Sequence, residues 1–176
     1  MLKNNYYKIK VELIDAKDKL FRLFYVKSGT DLESFILRVL YTLRCSLEHL
    51  YEVRSNKYLK DEATVDDLPS KSLLVYDFGD DWRFVVTKYK ITKELSGKGD
   101  YILLDAKGQG IWEDFIRYFY MYIDGDLTDD NYEEMCSDYL CSPLPNDCKK
   151  PSDFDLPVDI KSLNEDINKN TLTFSY

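Results

Sequence analysis

The spacing of apolar residues changes period several times along the chain, and each change marks a predicted element. Residues 6–13 read Tyr6-Tyr7-Lys8-Ile9-Lys10-Val11-Glu12-Leu13, which sets Tyr7, Ile9, Val11 and Leu13 on one face of a strand. A polar link, residues 14–19, leads to a second strand over 20–26, and so short a link predicts a hairpin. The period then lengthens. Leu32, Phe35, Ile36, Val39, Leu40 and Leu43 recur at helical spacing. Thr30 and Glu33 predict a capping box at the start of this helix, the threonine oxygen accepting a free amide and the glutamate reaching back. Residues 47–53 return to alternation and predict a third strand, with His49 in it.

A polar stretch over 55–72 precedes the most distinctive segment. Apolar runs at 73–76 and 82–86 flank Asp77-Phe78-Gly79-Asp80-Asp81, which predicts a β-hairpin with an acidic tip braced by Trp82. Gly79 can take φ > 0 without steric cost, and aspartate tolerates turn geometry by bonding to its own backbone. Residues 101–104 predict a further strand. Gly108-Gln109-Gly110 lies in a loop whose backbone is expected to approach a neighbour closely, the hairpin tip being the expected one. Phe115, Tyr118, Phe119 and Tyr122 fall on one helical face. Beyond Gly125, acidic residues and then Pro143, Pro145, Pro151 and Pro157 predict a peripheral segment. The pattern gives an α+β fold over residues 1–125, a single domain with a largely antiparallel sheet covered by helices, in an order of roughly ββαβββα. Residues 126–176 are expected to form an acidic C-terminal extension, not an independent domain.

Composition narrows the function classes. A chain of 176 residues with 44% hydrophobic side chains can bury a core and is not disordered. No apolar stretch approaches the roughly 20 residues that span a bilayer, and the first residues carry no signal-peptide core. Cys45, Cys136, Cys141 and Cys148 fit neither a zinc pattern nor a redox pair, so reduced thiols and a cytoplasmic location are expected. The net charge of −8 is uneven: residues 1–99 carry 18 basic and 15 acidic side chains, residues 100–176 carry 6 and 17. That acidity opposes binding to a phosphate backbone, so nucleic acid is not an expected partner.

Complete catalytic motifs are missing. Asp77-Phe78-Gly79 matches a kinase triplet but has no Gly-rich loop or catalytic loop to work with. There is no nucleophile elbow, P-loop or H-E-x-x-H, and Gly108-Gln109-Gly110 is not a dinucleotide fingerprint. Asp77, Asp81, Glu113 and Asp114 are the candidate ligands for a hard divalent cation, provided that their two loops meet in space. His49 is the sole histidine and therefore the only candidate acid or base of imidazole type.

Four stretches together resemble the plasmid pRiA4b ORF-3-like family, small proteins often encoded on plasmids and insertion elements. They are the opening strand at residues 7–13; Leu47-Glu48-His49-Leu50-Tyr51-Glu52-Val53, similar to the family's H-L-Y-x-F; Tyr76-Asp77-Phe78-Gly79-Asp80-Asp81-Trp82, similar to Y-D-F-G-D-x-W; and residues 104–114, similar to G-x-G-x-x-E-D. Phe154-Asp155-Leu156 with residues 160–163 resembles a weaker C-terminal element. The chain departs from the pattern at Phe84, where the family has a second histidine, and at Phe115-Ile116-Arg117, where it has Cys-Gly-Gly. The family's W-R pair is Phe21-Arg22 here. The resemblance implies a fold but carries no established activity. A resolvase role is not supported, because the arginines are scattered.

Two functional expectations follow. The first is a non-enzymatic interaction module that meets a protein partner through Tyr76, Asp77, Asp80, Asp81, Trp82, Gln109 and Trp112, with no cofactor. The second is a metal-dependent enzyme of hydrolase type, with Asp77, Asp81, Glu113 and Asp114 around a divalent cation and His49 as acid or base. Convergence of His49 with the acids favours the second; dispersal favours the first.

Overall fold

The computed structural model describes residues 4–16, 18–90, 93–95, 99–136, 144, 148–169 and 172. Strand β1 (Asn4–Leu13) forms the middle of the sheet. It pairs with β2 (Phe21–Lys27) on one side, and on the other with β5 (Trp82–Lys88) and the short β6 (Lys93–Leu95). With β3 (Tyr51–Arg54), β4 (Lys71–Tyr76) and β7 (Tyr101–Lys107) the order across the sheet is β3-β4-β5-β1-β2-β7, and β6 lies beside β1 off this path. Every pairing is antiparallel. Helices α1 (Leu32–Thr42), α2 (Ile116–Asp124), α3 (Tyr132–Cys136) and α4 (Ile160–Ile167) complete an α+β fold.

Alternation decides which way the strands face. Ile9, Val11 and Leu13, Phe24 and Val26, Leu74 and Tyr76, Trp82, Phe84 and Val86 all turn inward and are buried. Phe35, Val39 and Leu40 of α1 meet them, with Phe24 and Phe35 edge to face at 5.5 Å. The core does not end at residue 125. Leu127, Leu144, Cys148, Phe154 and Ile167 are buried in the same cluster. Asn164 of α4 lies against β7, accepting from Leu103 N at 2.7 Å and donating to Leu103 O at 2.8 Å. Cys45 and Cys148 are buried; Cys141 and the side chain of Cys136 lie outside the described residues.

Three local expectations need correction. Helix α1 is capped by Asp31, which accepts from Ser34 N at 2.7 Å, and not by Thr30. Thr30 is occupied instead in the preceding turn, where its carbonyl takes the Val65 amide. The third strand begins at Tyr51, so His49 stands on a loop. The amides of Ser46, Leu47 and Glu48 are taken there by the Glu113 carboxylate, the Tyr76 hydroxyl and the Ser46 hydroxyl, so they are not offered to a neighbouring strand. The Gly108–Gly110 loop approaches the end of α1 instead of the hairpin tip. A Cβ on Gly110 would stand 2.5 Å from Leu43 O, and Ile111 N donates to that carbonyl at 3.0 Å.

Candidate metal centre

The hairpin between β4 and β5 closes on the pair Tyr76 and Trp82, leaving Asp77 to Asp81 as its tip. The residues with φ > 0 are Asp77 (+54°) and Asp81 (+62°), and Gly79 is not one of them. Asp77 folds the turn itself. Its Oδ1 accepts from Gly79 N at 2.9 Å and from Asp80 N at 3.3 Å. A Cβ at 79 would stand 3.2 Å from Asp77 Oδ1, a tight contact to which the carboxylate would have to yield. Asp77 N donates to Leu50 O at 2.9 Å and so joins the hairpin tip to the loop that carries His49.

The second wall comes from the segment after β7. Glu113 is fixed by the Ser46 amide (2.8 Å), the Ser46 hydroxyl (2.9 Å) and the Tyr76 hydroxyl. Burial, and then the bond to Glu113, push the Tyr76 phenol above its ordinary value, so it stays a donor. Asp114 follows in the left-handed region at φ +64°.

His49 lies between these walls. Its Nδ1 is 3.5 Å from Asp77 Oδ1, and its Nε2 is 3.8 Å from Glu113 Oε1 and 3.7 Å from Asp114 Oδ1. These separations exceed a hydrogen bond. The Tyr76 ring meets the imidazole edge to face at 6.0 Å. One ligand atom each from His49, Asp77 and Asp114 falls within 4.8 Å of the others. The Asp77 side chain is 6% exposed and that of Asp114 71%, so the site is closed at the hairpin and open at Asp114. Asp80 adds a fourth carboxyl. Burial first, then the charges of Asp77 and Asp114, raise its pKa, against the opposing pull of the Trp82 indole and the Asp114 amide beside its carboxyl.

The candidates named from sequence therefore divide. Tyr76, Asp77, Glu113 and Asp114 surround His49, and Asp80 stands behind them beside Asp77 and Asp114. Asp81 does not; it pairs with Arg83. Trp82 and Trp112 are fully buried. Trp82 packs on Phe119 (5.1 Å) and Tyr120 (6.3 Å), and Trp112 on Phe119 (5.8 Å), Tyr122 (5.7 Å) and Phe154 (6.4 Å). Gln109 accepts from Arg44 and donates to the carbonyls of Leu156 and Pro157, fastening the C-terminal segment. Ser46 was not foreseen, because a serine next to a cysteine carries no signal of its own in the pattern.

A crystal structure of a protein of unknown function from Methanosarcina mazei Go1 shares this fold, with a TM-score of 0.60 and 19% identity over 87% of this chain and 99% of that one. No curated protein matches the chain. No helix among the described residues is long and apolar enough to cross a membrane. The family described as plasmid pRiA4b ORF-3-like protein matches residues 5–140, across both walls of the His49 site. With that match over most of its length, the chain belongs to the plasmid pRiA4b ORF-3-like family.

Proposed function

We propose that the protein is a divalent-cation-dependent hydrolase whose ion is held by His49, Asp77 and Asp114. The observation that carries this reading is a charge imbalance. Asp77, Glu113 and Asp114 gather around one imidazole with Asp80 beside two of them, and among the described residues no Lys or Arg pairs with Asp77, Glu113 or Asp114. Carboxylates partly removed from water call for a positive partner. Ligands on one ion at about 2.0–2.2 Å stand roughly 3.0–3.5 Å from each other. The 3.5 Å between His49 Nδ1 and Asp77 Oδ1 meets that requirement. An ion on Nδ1 leaves Nε2–H facing Glu113, whose carboxylate Ser46 and Tyr76 already hold still. Closing the 3.8 Å gap from Nε2 to Glu113 Oε1 would make the outer-shell hydrogen bond that orients a ligating histidine.

Three protein ligands leave coordination positions for water on the open side at Asp114. With a dication bound the site remains negative, so an uncharged or cationic ester or amide suits it better than a phosphate ester. The alternative of a partner docked on the hairpin aromatics has little surface to use, because Tyr76, Trp82 and Trp112 are buried. A second reading, a cation-dependent binding module, draws on Leu50 and Phe78, which are 73% and 50% exposed beside the two ligands.

The test is a thermal melt in EDTA and then with Mn²⁺, Zn²⁺, Mg²⁺ or Ca²⁺, on the native chain and on Asp114→Asn. Ion at a hundred times its dissociation constant adds about 2.7 kcal/mol, a rise of roughly 5–10 °C at this size. Asp114→Asn should abolish the rise, and hydrolysis of neutral ester and amide substrates with it. A native chain that responds to none of the ions ends the proposal. Ion binding without hydrolysis selects the module.

A further inference from the structure

We infer that Arg22 is a positioning residue for the His49 site, holding together the two loops that build it; this rests on the cation-site reading above. Arg22 is on β2, fully buried, and has no carboxylate partner among the described residues. All five of its N–H groups are used, each on a backbone carbonyl. Nε and Nη2 donate to Thr42 O at 3.0 and 2.7 Å. Nη1 donates to Phe21 O and Lys107 O, both at 2.8 Å, and Nη2 also donates to Gln109 O at 3.2 Å. Burial lowers its pKa to about 9, so it remains a cation at neutral pH.

The carbonyls it gathers mark where both site loops begin. From Thr42 the chain runs to Ser46 and His49; from Gln109 it runs to Glu113 and Asp114. The loops are joined next by Ile111 N on Leu43 O, and then by Ser46 on Glu113. The guanidinium is thus the first of three ties, and the one nearest the sheet. Only a planar group with five donors satisfies that set; a lysine has three and no fork. An apolar side chain of equal size would leave the carbonyls of Thr42 and Gln109 without these donors and the loops free to separate.

The chain has a single histidine, so its imidazole ring resonances in NMR report loop position without any ion. Arg22→Lys should displace the His49 ring signals. Val26→Ala, on the same strand and face, should lower stability and leave them in place. In the same samples, Mn²⁺ or Zn²⁺ affinity by calorimetry should fall about 10–100-fold for Arg22→Lys and stay near native for Val26→Ala. Unmoved His49 signals in Arg22→Lys, or equal movement in both variants, overturn the inference. A native chain that binds no ion removes the cation-site reading, while the ring signals still decide the role of Arg22. Should Arg22→Lys not fold, Arg22→Gly is refolded in sub-denaturing guanidinium chloride. Native His49 signals are expected only with guanidinium present. Native signals without it, or no folding with it, also overturn the role.

Discussion

Phe154 offers the sharpest test of how the C-terminal segment belongs to the fold. It sits in the turn Pro151–Asp155, is fully buried, and meets Phe119 at 5.3 Å, Tyr122 at 5.8 Å and Trp112 at 6.4 Å. Its backbone is also tied in, since Gln109 N donates to Phe154 O at 3.0 Å. The contact is close. A Cβ on Gly108, which holds φ +73°, would stand 2.6 Å from the Phe154 ring. Phe154→Ala removes the ring and leaves a cavity walled by three aromatics, which cannot collapse easily. Such truncations cost about 3–5 kcal/mol, and the lost edge-to-face pairs place this one in the upper half of that range. For a chain of this length the melting temperature should fall by about 8–20 °C. The assay is urea unfolding followed by far-UV circular dichroism and by the fluorescence of Trp82 and Trp112. One coincident transition with an unchanged m-value is expected. A loss below about 1 kcal/mol, or a separate early transition with a smaller m, would refute the claim that residues 148–169 share the core.

Two further outcomes follow from local contacts. Asp31→Ala should cost about 0.5–2 kcal/mol by removing the cap of α1, while Thr30→Ala, which keeps the backbone bond to Val65, should cost clearly less; equal losses in chemical denaturation would return the cap to Thr30. Asp129 is held down to about 2 by the Ser152 hydroxyl and amide, with Lys150 adding to them. Because its folded value lies below its unfolded one, the stabilisation is complete above about pH 4 and is lost as pH falls through about 2. Melts of Asp129→Asn across that window should show a weaker acid dependence than the native chain; an unaltered slope would dismiss the contact.

The strands and α1 were legible because each has one buried face, which stamps its period on the sequence. The hairpin was legible for the same reason, though not the part of Gly79, since aspartate rather than glycine takes the left-handed positions. The types of residue at the site were legible too, but its membership was not. Asp80 and Asp81 look equivalent in sequence, and a turn separates them, one toward Asp114 and the other onto Arg83. His49 keeps the alternation of residues 47–53 and yet leaves the strand, because side chains distant in sequence take up the neighbouring amides. The family resemblance marks Arg22, but its role was not legible, since its partners are backbone carbonyls, which leave no mark in a side-chain pattern.

An open sheet has two borders at which another chain could lay down a strand. At β3 the border is only four residues long and carries Glu52 and Arg54. At β7 the protection is of another kind. The Asn164 amide gives one hydrogen bond to Leu103 and takes one from it, as the peptide group of a next strand would. A helix thus supplies one peptide-like unit and halts the sheet there. That single side chain denies an incoming strand its anchoring pair of bonds, which makes α4 a guard against self-association as well as a cover for the core.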